Sequence, residues 1–245
     1  PVARPVSARS AASRLLTVGV AIPAHDAADY LGAALRSVLA QSMPVGDVVV
    51  VEDGSVDDTG AIATAFAPLV RVIRQPHQGV GAARSRAVEA VRGDVIVVLD
   101  ADDLLTEVSV ASRVRVMQER PEVDLVFGHV RSFAAMDSVG PVGMDEPQPA
   151  RVAGSMLVRR AAYERVGGFR AGLRAEGLDW LLRARELGLV SATVPEQVLW
   201  RRVHAANSSS GERRPVEEFP RLLKASLDRR RAAGSGQPPA RHPHG

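Results

Sequence analysis

The chain has no cysteine, a single lysine and few aromatic residues, 4% Phe, Trp and Tyr together. Without cysteine there is no disulfide framework, no thiolate zinc site and no cysteine nucleophile. No apolar run approaches the roughly 18 residues of a membrane span, and no charged stretch followed by an apolar one opens the sequence as a secretory signal would. A cytoplasmic protein is therefore expected. Because Lys224 is the only lysine, nearly all positive charge is arginine, which does not titrate below about pH 12. The pI of 10.1 thus reflects scarce buffering groups on a net charge of only +3. What is present, 46% hydrophobic and 24% charged residues over 245 positions, is the composition of a globular protein with a substantial core.

The charge is unevenly placed. Residues 1–14 carry three Arg and no acid, and residues 211–245 carry eight basic and four acidic groups, so the tails sum to +7. The body, residues 15–210, holds 20 basic and 24 acidic groups. Such a body lacks the positive footprint that binding a phosphate backbone requires, which excludes nucleic acid as the expected partner, and it suits a metal ion better. Both tails are rich in Pro, Ser, Ala and Arg without periodicity and read as disordered. The sequence therefore divides into an N-terminal tail (1–14), a body (15–210) with halves at 15–103 and 104–210, and a C-terminal helix with a basic tail (211–245).

Within the body, short Val-rich apolar runs alternate with amphipathic stretches. Runs at 15–22, 48–51, 70–73 and 95–99 read as strands, with helices at 28–40, 58–66 and 81–91 between them. Strands of this kind, each followed by a helix, predict an α/β fold with a mostly parallel sheet covered on both faces. A helix over 104–119, an apolar segment at 125–130, a loop at 138–150 lying over the site, a strand at 152–158, helices at 161–166 and 178–187 and a strand at 194–203 complete the expectation. A basic amphipathic helix near 212–231, with Phe219, Leu222, Leu223 and Leu227 at helical spacing and Pro220 limiting its length, either packs on its own domain with a solvated face or rests on a membrane, a homodimer mate or another partner.

Polar residues follow each early strand: His25 and Asp26, then Glu52 and Asp53, then His77 and Gln78, then Asp100, Asp102 and Asp103. Parallel strands bring their carboxyl ends to one edge, where open α/β sheets bind ligands, so these distant carboxylates are expected to converge. Three carboxylates within Asp100-Ala101-Asp102-Asp103 repel one another unless a cation joins them. Mg²⁺ or Mn²⁺ fits, because it takes one or two carboxylates and completes its shell with phosphate and water oxygens. The plainer alternative is an acidic strand-to-helix turn with Asp103 as N-cap. Gly79-Val80-Gly81-Ala82-Ala83-Arg84 offers the first two glycines of a dinucleotide fingerprint, but Arg84 stands where the third belongs. Glu176 and Asp179 open a helix at a spacing that shares one face; they either complement its dipole or supply a catalytic carboxylate. Trp180 and Trp200 suit either the core or a stacked ring, and His129 reads as a packing residue.

From about Thr17 to Asn207 the sequence resembles the family 2 glycosyltransferases of GT-A fold. VGVAIPAHDAADYL is similar to their first strand and turn, VVVVEDGSVDDT to the second, and HQGVGAARSRAVEAVRGDVIVVLDADD to the stretch that ends in the DXD motif. The resemblance implies that Pro23, Ala24, His25, Asp26, Glu52, Asp53, Arg84, Asp100 and Ala101 face a nucleotide sugar, with Asp100 toward the ribose. It implies that Asp102, with a C-terminal histidine placed as His204 is, holds Mn²⁺ or Mg²⁺. It also implies that Glu176 or Asp179 activates the acceptor. The sequence departs from the usual pattern at three places. His25-Asp26 stands for Tyr-Asn, Glu52 for Asp, and Gly177 for the second residue of a Glu-Asp pair, which leaves the base open between Glu176 and Asp179.

The implied activity is metal-dependent, inverting transfer of a sugar from a nucleotide diphosphate sugar, with a UDP-sugar as the leading donor, to an acceptor hydroxyl. The acceptor is not specified by any motif. Two alternatives remain: a catalytically silent nucleotide-sugar-binding module, and a sugar nucleotidyltransferase. The latter is disfavoured because the turn PAHDAADY lacks the glycine-rich, cationic loop that binds a triphosphate.

Overall fold

The computed structural model describes residues 15–204 and 218–234. Four parallel strands, β1 (Val18–Ala24), β2 (Asp47–Asp53), β3 (Arg71–Gln75) and β4 (Val95–Val98), alternate with helices α1 (Ala28–Leu39), α2 (Thr59–Thr64) and α3 (Val80–Ala90). β1, β4 and all but the first residue of β2 are buried, which is why they read as unbroken apolar runs instead of alternating ones. Then follow β5 (Leu104–Leu105), α4 (Ser109–Glu119), β6 (Leu125–Met136), β7 (Pro141–Gly143), β8 (Gln148–Ala150), a 3₁₀ turn (Ala153–Ser155), β9 (Leu157–Arg159), α5 (Arg160–Val166), α6 (Glu176–Glu186), β10 (Ser191–Arg202) and α7 (Glu218–Gly234).

The sheet order is β3-β2-β1-β4-β9-β6-β10-β5, with β7 and β8 on the far part of β6. β9 runs antiparallel between β4 and β6, while β6 and β10 are parallel to each other. One core layer packs Leu31, Leu35 and Val38 of α1 and Val110, Val114 and Met117 of α4 on one face. The other packs Ala83, Ala87 and Val88 of α3 with Tyr163, Phe169 and Trp180 on the opposite face. Trp180 is fully buried and donates from Nε1 to the Gly167 carbonyl at 2.8 Å, so it is a core residue. Trp200 is half-buried, edge-on to Phe133, with the Arg131 guanidinium over its ring.

Four expectations are corrected. Helix α4 starts at Ser109 and not at residue 104, because Leu104 and Leu105 are taken into the sheet against Leu199 and Trp200. The apolar run at 125–130 extends to Met136 as a twelve-residue strand. The stretch 138–150 holds two short strands folded back on β6, and none of its residues lines either of the two clefts at the strand ends. The strand expected at 152–158 is broken by the 3₁₀ turn, where the buried Arg113 donates from Nη1 to the Ser155 carbonyl.

Helix α7 packs on α6. Glu218 accepts from the backbone N–H groups of Arg174 and Ala175 at the start of α6, and Arg229 makes a paired contact with Glu186 at 2.7 and 2.8 Å. Among the described residues, no helix is long and apolar enough to cross a membrane. Residues 1–14, 205–217 and 235–245, which include both expected tails and Asn207, lie outside the described residues.

Candidate active site

The parallel strands deliver their carboxyl ends to one rim, and a cleft of about 650 Å³ opens there. Pro23, Ala24, His25 and Asp26 after β1, Asp53 at the end of β2, Arg84 on α3, Asp100, Ala101 and Asp102 after β4, Glu176 on α6 and His204 after β10 all line it. Asp26, Asp53 and Asp102 are thus brought to a single surface from three separate turns. A second cleft of about 410 Å³ adjoins it and shares Arg84, Asp100, Asp103, Glu176 and Arg201.

Each turn is held by backbone needs. Asp26 adopts φ 45°, an uncommon conformation for a residue with a Cβ that Asp tolerates better than most. Its N–H donates to Ser55 Oγ at 3.1 Å, and its Oδ1 accepts from the Val56 N–H at 2.9 Å, so the first two turns are tied together. Asp53 is buried and accepts from Gln75 Nε2 (2.6 Å), the Gln78 N–H (2.9 Å) and the Gly79 N–H (2.8 Å), which fixes the third turn to the second.

Arg84 is the hub. Its guanidinium is buried, bonded through Nη1 to Glu176 and through Nη2 to Asp100, and stacked 5.3 Å from the Phe169 centroid. Burial opposes its charge, but the two carboxylates more than offset that, and Arg84 stays protonated at every accessible pH. Burial raises the Glu176 carboxyl above its ordinary range, with Arg84 opposing and Asp100 reinforcing the rise. Among the described residues Glu176 Oε2 has no hydrogen-bond partner.

Asp102 Oδ2 lies 3.0 Å from His204 Nε2, and the His204 ring packs 4.7 Å from that of Tyr30. A carboxylate oxygen and an imidazole nitrogen facing one cleft are a suitable partial donor set for Mn²⁺ or Mg²⁺, which fills its other positions with phosphate and water oxygens. Asp100 is turned from this pair toward Arg84. Asp103 is not an N-cap: its Oδ1 accepts from the Arg202 N–H at 2.8 Å, and burial raises its pKa well above the carboxylate range.

Two expected site residues lie elsewhere. Glu52 is buried beside the cleft and accepts from the Ser55 N–H, so it shapes the second turn without lining the cleft. Asp179 is buried and paired with Arg183 Nε (2.9 Å) and Arg170 Nη1 (3.1 Å), and it lines neither cleft. Conversely, Tyr30 and Arg201 line the larger cleft without having been placed there from sequence, whereas His77, expected at this edge after the third strand, does line it. Tyr30 lies in the first turn of α1, directly after the turn that carries His25 and Asp26.

A layered α/β sheet with carboxylates at the carboxyl ends of its strands defines a ligand-binding class of fold. Residues 19–175 match the family model described as Glycosyl transferase family 2. The chain belongs to that family. It is 27% identical over 124 residues to Glycosyltransferase GlyG of Streptococcus pneumoniae, covering 49% of this chain and 41% of that protein. It is 37% identical over 126 residues to Succinoglycan biosynthesis protein ExoO of Rhizobium meliloti, covering 51% of this chain and 33% of that protein. The chain thus spans less than half the length of these curated relatives. Among solved structures, S. aureus TarS in complex with UDP-GlcNAc superposes with a TM-score of 0.69 at 16% identity, covering 86% of this chain and 66% of that one. Mannosyltransferase PcManGT from Pyrobaculum calidifontis, in complex with GDP-Man and Mn²⁺, gives 0.61 at 20% identity, covering 92% and 66%. The fold is GT-A.

Proposed function

We propose that this chain transfers a glycosyl group from a nucleotide diphosphate sugar to an acceptor hydroxyl, with inversion at the anomeric carbon. The observation that carries the reading is the position of Glu176, on the boundary shared by the two clefts and beside the Arg84–Asp100 pair. The larger cleft takes the donor and the smaller one the acceptor. A UDP-sugar is the leading donor, supported by the TarS complex; the GDP-Man complex keeps the base open.

Asp26, Asp53 and the backbone of Pro23 and Ala24 form the wall for the nucleotide, and Asp100 faces the ribose. Asp102 and His204 hold Mg²⁺ or Mn²⁺, which supplies charge neutralisation to the diphosphate when bound. Glu176 is the base: it lines both clefts, whereas Asp179 lines neither and is turned into its arginine pair. As the acceptor oxygen attacks the anomeric carbon, the bond to the diphosphate breaks on the opposite side, and the hydroxyl proton passes to Glu176. Fixing both substrates on one rigid rim removes much of the entropic barrier. Arg84 keeps Glu176 oriented and balances its charge.

The test is transfer or hydrolysis of UDP-, GDP- and dTDP-sugars by the full chain with Mn²⁺, and its loss in Asp102→Ala. Metal-dependent nucleotide binding without turnover of any donor would overturn the enzymatic reading in favour of a silent binding module.

A further inference from the structure

We infer that the chain carries a second cation site, made by His25, His77 and Asp53, for a borderline transition ion such as Zn²⁺, and that this ion closes the inner end of the donor cleft. Among the described residues these three form a group of potential metal ligands whose donor atoms all lie within 4.8 Å of one another. It is separate from the Asp102–His204 pair, and its donors differ in kind. Two imidazoles and one carboxylate favour Zn²⁺, Co²⁺ or Ni²⁺, whereas Mg²⁺ prefers oxygen alone.

The geometry is already close to that of a coordination shell. His25 Nδ1 stands 2.8 Å and His77 Nδ1 3.1 Å from the Asp53 carbonyl oxygen, and His77 Nδ1 is also 3.1 Å from Asp53 Oδ2. Ligands held about 2.0–2.2 Å from a tetrahedral zinc ion stand roughly 3.3 Å apart. The His77–Asp53 spacing therefore needs almost no adjustment. The two rings lie with centroids 4.1 Å apart and planes tilted by 32°, and both Nδ1 atoms turn toward Asp53, that of His25 to its carbonyl oxygen and that of His77 to its carbonyl and its carboxylate. As neutral rings with Nδ1 protonated, both donate to the Asp53 carbonyl. Moving that proton to Nε2 turns each Nδ1 into a ligand, and His25 Nε2 then points to Asp26 Oδ2 at 3.6 Å.

The surroundings preorganise the group. Asp53 is locked by three donors from Gln75, Gln78 and Gly79, the kind of outer support that orients metal ligands. Gly54, at φ +68°, lets the second turn approach the His77 backbone: a Cβ there would stand 2.6 Å from the His77 nitrogen. That approach is what brings His77 beside Asp53. The two histidines are 39% and 57% exposed in their side chains, so both can rotate onto an ion without disturbing the core.

The three ligands come from the turns after β1, β2 and β3, and all three line the cleft assigned above to the donor. An ion there and a nucleotide exclude each other, a consequence that rests on the proposed donor reading. The site makes the chain a zinc-inhibited protein.

The site is tested by titrating Zn²⁺ calorimetrically into the full chain carrying Asp102→Ala, which removes the other candidate cation pair. One ion per chain is expected, with binding weakened at least about tenfold when His77→Gln is added and again when His25→Gln is added. His77 is exposed, so H77Q is expected to fold, and thermal unfolding of the same samples checks it. Co²⁺ added to the Asp102→Ala chain gives a second readout, visible absorption of a low-coordinate nitrogen and oxygen site. Zinc affinity that is equal with and without both histidines, or no such cobalt spectrum, overturns the proposal. Competition is read with a fluorescent uridine diphosphate analogue and Mg²⁺: Zn²⁺ displaces it from the unmutated chain and does so less from His77→Gln. If no nucleotide binds at all, the donor reading fails while the zinc titration still decides the site.

Discussion

Arg84 and Glu176, 92 positions apart in the chain, form a buried ion pair that joins α3 to α6 across the floor of both clefts. The pair links the β1–β4 half of the fold to the half that carries α6. Removing one partner leaves the other charge buried and uncompensated, which is far more costly than the pair is stabilising. Arg84→Ala is expected to lower stability by about 3–5 kcal/mol, read as a shift in the urea midpoint. Arg84→Lys keeps the charge but cannot bridge Glu176 and Asp100 together, and it should fall between the two.

Glu176→Gln should reduce transfer by about 10²–10⁴-fold, the usual worth of a positioned general base, while nucleotide binding measured without acceptor stays within a few-fold. The pH dependence has a definite sign. Burial raises the Glu176 pKa, so activity rises with pH through a value above the ordinary carboxylate range. The folded state also binds that proton more tightly than the unfolded one. The associated stability is complete below the unfolded pKa and is lost as pH rises through the folded pKa. In Glu176→Gln this loss disappears, which unfolding curves between pH 4 and neutrality would register.

Asp179→Asn separates structure from chemistry. The carboxylate is held by Arg183 and Arg170 and lines neither cleft. The variant should lose about 1–3 kcal/mol of stability and retain its turnover number within a few-fold. A fall in turnover like that of Glu176→Gln, with stability unchanged, would reassign the base.

Chelation should abolish donor binding, and Mn²⁺ should restore it. His204→Ala is expected to weaken Mn²⁺-dependent nucleotide binding by about 10–100-fold, and Asp102→Asn by more, both read by calorimetry with UDP at fixed Mn²⁺.

Arg113 tests the support beneath the second cleft. It is fully buried on α4 and donates to the Ser109 carbonyl (2.9 Å), Ser109 Oγ (2.7 Å) and the Ser155 carbonyl (2.9 Å). Burial pulls its pKa down to about 9. Arg113→Ala removes the donor to the Ser155 carbonyl, empties a buried volume and should cost about 2–4 kcal/mol, measured as a drop in thermal midpoint. Gly154, beside Ser155, lines the second cleft, so a change in acceptor dependence should accompany it.

Much of this was readable along the chain because it is set by local chemistry. Val-rich runs buried on both faces announce parallel strands, and each such strand must end at the same edge, so His25, Asp26, Asp53, Asp100 and Asp102 were assigned to one rim without coordinates. The misassigned stretches have local preferences that a distant partner overrides. Leu104 and Leu105 are good helix formers taken into the sheet by β10, and residues 138–150 pair with β6 although their prolines and glycines read as a loop.

Residue types and periodicity alone therefore determined the fold class and the common edge of the strand ends, and the likeness of whole motifs supplied the family. They could not choose between Glu176 and Asp179, which share a helix face and a composition. That choice depends on where arginines from other elements fall: Arg84 of α3 holds Glu176 at the cleft, while Arg170 and Arg183 bury Asp179 away from it. Nor could they join His25 to His77 or seat His204 on Asp102, because those approaches are created by packing between turns remote in the chain. A sequence carries the chemistry of each side chain, but the distance between two side chains is a property of the folded whole.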